Sequence, residues 1–334
     1  MTVRTKIVGT GSYLPERILT NVELEGVVET SDEWISTRTG IRSRRIAGPD
    51  EKTSGMASEA ARKAMTMANV TAEQLDMIIV GTISAEMLMP SCACLVQKEI
   101  GAEKAFAFDV SAACSGFLYA LEIADRYIRQ SPELKILVIG AETLSGKTDW
   151  QDRNTCILFG DGAGACIVTG SSDENGLIAS QLYSDGRLWE LLSLDAAPRR
   201  YCPVVDYGNQ PDQKSLCEGS AFKMVGKDVF KYAVRKMSDA VEKLLNEQGV
   251  TVSDIDILIP HQANIRILKS LAERVGLPFE KVYTTIQKYG NSSAASLPIA
   301  LDEANREGRL QDGDLMLFSV FGGGFTWGVG LLRW

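Results

Sequence analysis

The stretch TAEQLDMIIVG, Thr71–Gly81, returns 180 positions later as TVSDIDILIPH, Thr251–His261. Each copy reads as a polar turn followed by a short, continuous apolar run, the pattern of a strand buried on both faces. The likeness extends outward from there. CSGFLYALEIA, from Cys114, and NSSAASLPIALDEA, from Asn291, hold equivalent places at an offset of 177, which puts Asn291 opposite Cys114 with both at helix starts. The strands KILVIGAETL and DLMLFSVFGGGF come next, and FGDGAGACIV (Phe159–Val168) mirrors FTWGVGLLRW (Phe325–Trp334) at an offset of 166. Each half therefore runs strand, helix, strand, helix, strand, strand. Such alternation predicts a parallel-rich sheet covered on both faces. Two of these βαβαβ halves, residues 1–170 and 171–334, predict a five-layer α/β architecture (αβαβα) with a pseudo-dyad.

Composition narrows the function. Of 334 residues, 45% are apolar and 23% charged, which suits an ordinary globular chain with a sizeable core. The net charge of −8 argues against a broad nucleic-acid-binding surface. The most apolar stretch, Met77–Val96, is broken by Glu86, Pro90 and Ser91, so it reads as strand, loop and helix start and no membrane span is expected. Seven cysteines, with no C-x-x-C pair and no secretory signal, predict reduced thiols and a cytoplasmic setting. Cys92 and Cys94 lack further partners for a metal, and no metal is expected. The segment Ala196–Gly219, rich in Pro, Asp, Gly and Arg, reads as a long surface loop.

Few residues can carry chemistry. His261 is the only histidine, just past the end of a predicted buried strand, where α/β proteins place active sites. A lone histidine is more often structural. Cys114 follows the strand Ala105–Val110 and a Ser-Ala-Ala turn, at the start of a helix apolar nearly all round. A helix N-terminus favours thiolate over thiol, so Cys114 reads as a nucleophile, against the commoner role of a packing cysteine. Asn291 in QKYGNSSAAS is explained locally as a turn residue, and the repeat adds a functional reading. In FGGGFTWG, Phe321–Gly328, three glycines either make a tight bend between strands or offer N–H groups to an oxyanion. GDGAGA (Gly160–Ala165) fits a dinucleotide pattern but leads into a strand, so no dinucleotide site is expected; GTGSYLP (Gly9–Pro15) fails in the same way.

DVSAACSGF, PHQANIRI, YGNSSAAS and FGGGFTWG together resemble the signature blocks of β-ketoacyl-(acyl carrier protein) synthase III. SDEWISTRTGIRSRRI and TCILFGDGAGA resemble the same family, and the likeness spans nearly the whole chain. The resemblance implies a thiolase-like fold and a Cys114, His261, Asn291 triad. It implies an initiating condensing enzyme that loads an acyl-CoA primer and condenses it with malonyl-carrier protein, as a homodimer. Acyl-CoA would be a substrate, and no cofactor is implied. The elongating relatives use Cys-His-His, which a chain with one histidine cannot build. Backbone N–H groups of Cys114 and Gly323 would form the oxyanion hole. Trp34 and Arg38, with Arg153 nearby, would hold the adenine end of coenzyme A. Asn264, Phe159 and Gly226 would line the tunnel, and Arg266 would dock the acidic carrier protein.

The chain departs from the family at several places. Lys227 stands where Asn is usual and Asn154 where Gly is common, both near the expected coenzyme A contacts. The segment 196–219 is longer than usual. Met89 stands where a Phe often closes the acyl pocket, beside Phe321, across the dimer; the more flexible Met either admits a longer or branched primer or is a neutral substitution. Three other readings compete. One keeps the fold in a specialised acyltransferase or condensing pathway. Another is a non-catalytic carrier-binding scaffold, which the intact Cys, His and Asn disfavour. The third is a papain-like hydrolase, disfavoured by the repeat and the glycine tail.

Overall fold

The computed structural model describes residues 3–195 and 221–334. The loop expected at 196–219 lies outside the described residues. Nine strands form one continuous sheet: β1 Arg4–Tyr13, β2 Met77–Gly81, β3 Phe106–Val110, β4 Ile136–Glu142, β5 Gly162–Ser171, β6 Gly176–Ser184, β7 Ile257–Pro260, β8 Leu315–Gly322 and β9 Thr326–Arg333. Their order is β7-β8-β9-β6-β1-β5-β4-β2-β3. The helices used below are α1 Asp32–Thr39, α2 Thr53–Ala68, α3 Cys92–Ile100, α4 Gly116–Gln130, α5 Gly226–Gln248, α6 Ile265–Val275 and α7 Ser296–Arg306.

The sheet consists of two matching halves joined edge to edge by one antiparallel pair, Thr5 with Leu177. In the first half β2 runs parallel to β3 and β4, while β5 turns back antiparallel to β4 and pairs with β1. In the second, β7 runs parallel to β8, β9 turns back, and β9 pairs with β6. The counterpart of β3 is reduced to one parallel bridge, Leu258 with Val282.

Side-chain alternation builds the layers. Met77 and Ile79 of β2, with Ile136 and Val138 of β4, face α4 and α7. Ile257 and Ile259 of β7 and Met316, Phe318 and Val320 of β8 face the same two helices from the other side. The alternate residues Ile78, Val80, Leu137 and Ile139 pack under α2 and α3, and Leu258, Leu315 and Leu317 pack under α5 and α6. The result is five layers, with α4 and α7 buried in the middle. Strands covered on both faces explain the unbroken apolar runs that opened the sequence reading.

The repeat is repeated in hydrogen bonds. Thr71 with Gln74 and Thr251 with Asp254 form equivalent capping boxes. Asp76 accepts from the Lys135 amide and Asp256 from the Leu315 amide, each at 2.8 Å. All of these pairs are 180 apart, and the register of 180 continues through the turns before α4 and α7, which open at Ala113 and Ser293.

That register corrects the offset of 177. Cys114 corresponds to Ala294, and Asn291 corresponds to Ser111, three residues before the nucleophile. Short runs of Ser, Ala and Gly align equally well three residues apart, whereas the backbone turn has one register. Asn291 is accordingly not at a helix start: it forms a bridge with Phe159 ahead of the turn. The last offset is also smaller than 166, because the ladders make Val168 equivalent to Leu332, 164 apart.

Candidate active site

The middle layer brings the ends of α4 and α7 together at the floor of a cavity of about 1420 Å³. Close approach requires small residues here. A Cβ on Gly140 of β4 would sit 2.2 Å from the Ala294 carbonyl oxygen, and one on Gly322 of β8 would sit 2.7 Å from the Cys114 amide nitrogen. Cys114 lies in the single 3-10 turn that runs into α4, with His261 just beyond the end of β7. Cys114, His261, Asn291, Gly323 and Phe321 all line the one cavity. Three residues from distant parts of the chain therefore line one cavity, His261 from a strand end as expected and Asn291 from a place other than the repeat had assigned it.

Hydrogen bonds orient the two donors. Asn291 Oδ1 accepts from the Ser293 amide at 2.9 Å, and the Asn291 backbone is held by Leu158 and Gly160. Its Nδ2 is thereby left as a donor group. His261 Nδ1 pairs with Ser296 Oγ at 2.6 Å, and the same hydroxyl accepts from the Gln262 amide at 3.2 Å. The Ser296 hydroxyl is free to donate to Nδ1, the arrangement that puts the proton of the neutral ring on Nε2. Burial pulls His261 down to a pKa of about 3, so the ring is neutral at pH 7.

The family model for the C-terminal part of 3-oxoacyl-(acyl-carrier-protein) synthase III matches residues 245–334, and the companion model of the same synthase matches 108–186. β-Ketoacyl-(acyl-carrier-protein) synthase III of Desulfotalea psychrophila is 55% identical over 328 residues, 98% of this chain and 99% of that one. The chain belongs to the synthase III family. The crystal structure of the Aquifex aeolicus synthase III superposes with a TM-score of 0.91 at 48% identity, covering 99% of this chain and 100% of that one. A priming β-ketosynthase of the R1128 polyketide pathway superposes at 0.89 with 34% identity, covering 99% of this chain and 96% of that one.

Within this synthase III chain, Trp34, Arg38, Phe159, Gly226, Asn264 and Arg266 line the cavity, as do Lys227 and Asn154. Arg153 does not. It stands at the rim, where its guanidinium and that of Arg38 each lie 4.6 Å from the Trp34 ring centre. Asn264 caps α6, accepting from the Arg266 amide at 2.8 Å. Met89 is not part of its own protomer's cavity: its side chain is 85% exposed, while Met87 and Leu88 of the same loop do line the cavity.

Burial raises the Cys114 thiol to about 12, and the nearby Glu142 charge adds to this, while the Ser293 hydroxyl pulls the other way. This opposes the pull of the helix start toward thiolate. Sequence reasoning also missed the residues that hold the triad. Gln262 spends its whole buried amide on backbone, donating to Pro260 and Tyr283 and accepting from Thr285 and Ile286. Its place beside the only histidine was the one available signal. Ser296, Ser293 and Glu142 gave none, being ordinary helix-start and strand-end residues.

Proposed function

We propose that this synthase III starts acyl chains by moving an acyl group from acyl-CoA onto Cys114, then condensing it with malonyl-carrier protein. The observation that carries the reading is the convergence of one thiol with two neutral hydrogen-bond donors, His261 Nε2 and Asn291 Nδ2, at the floor of one cavity. In the first step Sγ attacks the thioester carbon, with the Cys114 and Gly323 amides as oxyanion donors, and coenzyme A leaves. In the second, His261 and Asn291 donate to the malonyl thioester oxygen as carbon dioxide departs. The carbanion then attacks the acyl carbon and expels the Cys114 sulfur, giving a 3-oxoacyl-carrier protein. The full-length relative at 55% identity favours this acceptor over that of a specialised pathway.

The substrate contacts follow from the rim. Adenine would take the place of one guanidinium on the Trp34 face, and Arg266, at the mouth, would meet the acidic carrier protein. A homodimer is supported by β3, an edge strand whose exposed Phe106 stacks with Phe108 and lies against exposed Tyr127. An apolar edge of that kind is a pairing surface. The neighbouring Met89 would then enter the second copy's site. No helix among the described residues is long and apolar enough to cross a membrane, and Cys92, Cys94, Cys114, Cys156 and Cys166 are free thiols, which fits a cytoplasmic enzyme.

Intact-mass measurement after incubation with a panel of acyl-CoAs tests the reading and names the primer. The expected result is one acyl group per chain, absent in Cys114→Ala, which keeps malonyl decarboxylation. Asn291→Ala should do the reverse. Acylation that survives Cys114→Ala would end the proposal.

A further inference from the structure

Arg44 carries a buried charge onto three neutral acceptors. It belongs to the short strand Ser43–Arg45 and has no exposed surface. Its Nη1 donates to the Leu19 carbonyl at 3.2 Å, and its Nη2 donates to Asn21 Oδ1 at 2.9 Å and to the Ile157 carbonyl at 2.8 Å. Its Nε is buried with no hydrogen-bond partner among the described residues. Burial pulls the guanidinium down only to about 10, so it is charged at neutral pH. Burying a charge on neutral acceptors is costly, and an apolar side chain would fill the same space without that cost. The cost calls for a reason, and one of the acceptors supplies it.

Ile157 opens the segment 157–160, which holds Asn291. The Asn291 amide donates to the Leu158 carbonyl at 2.9 Å, and the Gly160 amide donates to the Asn291 carbonyl at 3.0 Å. Between them Phe159 and Asn291 form a parallel bridge. Segment 157–160 thus takes the guanidinium on one residue and the Asn291 backbone on the next. The stem of Arg44 packs against the same bridge. A Cβ on Gly160 would lie 3.0 Å from Arg44 Cβ, and one on Gly290, whose φ of 64° turns the chain into Asn291, would lie 3.3 Å from it. The Asn291 side chain is tied to its own turn, because Oδ1 accepts from the Ser293 amide. A shift of segment 157–160 is therefore a shift of Nδ2. Cys114 stands apart from this anchor: its turn packs against Gly322 of β8, and none of the three Arg44 acceptors belongs to it.

We propose that Arg44 is a positioning residue for Asn291, its guanidinium anchoring segment 157–160 and so fixing where Nδ2 meets the malonyl thioester oxygen. The inference rests on the condensing reading above. Arg44 touches no substrate and acts in the decarboxylation step alone. The planar fork matters as much as the charge, since one Nη2 spans Asn21 and Ile157 while Nη1 reaches Leu19.

The test compares the two half-reactions in wild type, Arg44→Lys, Arg44→Met, Asn291→Ala, and Arg44→Lys combined with Asn291→Ala, with an unfolding midpoint for each. Acylation of Cys114 is followed by rapid quench and intact mass at saturating acetyl-CoA and isobutyryl-CoA. Decarboxylation is followed as carbon dioxide released from malonyl-carrier protein. Arg44→Met should lower the kcat of decarboxylation by roughly 100-fold and Arg44→Lys by roughly tenfold, since a displacement of about 1 Å at a reacting contact costs up to that much. The KM for malonyl-carrier protein and the acylation rate should stay at their wild-type values. The combined variant should be no slower in decarboxylation than Asn291→Ala, because the donor that Arg44 positions is already gone. A residue that only stabilised the fold would slow both half-reactions together and add its loss to that of Asn291→Ala. If Arg44→Met does not fold, Arg44→Lys decides. The proposal is overturned if Arg44→Lys decarboxylates at the wild-type rate, if acylation falls as far as decarboxylation, if the losses multiply in the combined variant, or if neither Arg44 variant folds. Asn291→Ala that keeps decarboxylation, or wild type acylated by neither thioester, would instead bring down the condensing reading.

Discussion

Ala113 and Ser293, 180 positions apart, share the same left-handed backbone, at φ 46° and 50°, and each opens the 3-10 turn that leads into a central helix. The pair is the local device that fixes both ends of the active site. One turn presents the sulfur in its next residue. The other lets Ser293 satisfy Asn291 Oδ1 through its amide. A left-handed conformation costs a residue with a Cβ about 1–2 kcal/mol, and glycine escapes that cost but loses more entropy on folding.

Ala113→Gly should therefore stabilise the fold by about 0.5 kcal/mol, the difference between relieved strain and the entropy of the added glycine. Urea unfolding measures it directly. A clear loss of stability would mean that the Ala113 methyl group contributes packing that outweighs the backbone term.

Gly322→Ala should separate the oxyanion hole from binding. Its Cβ would come 2.7 Å from the Cys114 amide nitrogen, closer than packed atoms allow, so that amide or β8 must move. Losing one oxyanion donor typically costs a factor of ~100 or more in rate. Acylation of Cys114 should slow by that order while the KM for acyl-CoA changes little, because the clash falls on the Cys114 amide and the Trp34–Arg38 stack is untouched. A KM effect that dominated would place the damage in the tunnel instead.

How much of this could be read from the chain depended on whether the signal was periodic or singular. The apolar runs of β2 and β7, with their Thr-led turns, gave the duplication because burial on both faces leaves a continuous pattern. Cys114, His261 and Asn291 were found because rare residues stood at strand ends and in recognisable blocks. The register between Cys114 and Asn291 was misread by three, since runs of small residues carry little alignment information and the turn that sets the register is a backbone property. A helix start beside Cys114 is visible in sequence, whereas the burial that opposes its pull on the thiol is not. Ser296, Ser293 and Glu142 act only through where the fold puts them.

Ser296→Ala tests the histidine tautomer. Without that hydroxyl, Nδ1 loses its only hydrogen bond among the described residues and the ring is free to carry its proton on either nitrogen. Malonyl decarboxylation should fall about tenfold, the worth of one ordinary hydrogen bond, while Cys114 acylation is retained. Equal loss in both half-reactions would point to a displaced β7 end instead.

The pH dependence of stability isolates Glu142. Its folded pKa, about 7, lies above the ordinary 4.5, so the native state holds a proton that the unfolded chain has released between those values. Stability from this group is full below pH 4.5 and is lost as pH rises to 7, at about 1.4 kcal/mol per unit where the two states differ by a whole proton. His261 has the opposite sign, since its folded pKa is depressed from 6.5 to about 3 and its contribution is lost as pH falls through that window. The two slopes therefore offset one another between pH 4.5 and 6.5. Glu142→Gln removes one of them. Relative to wild type, the variant should gain about 3 kcal/mol between pH 4.5 and 7, read from urea midpoints across that range. A difference that stayed constant with pH would mean that Glu142 does not titrate in that range.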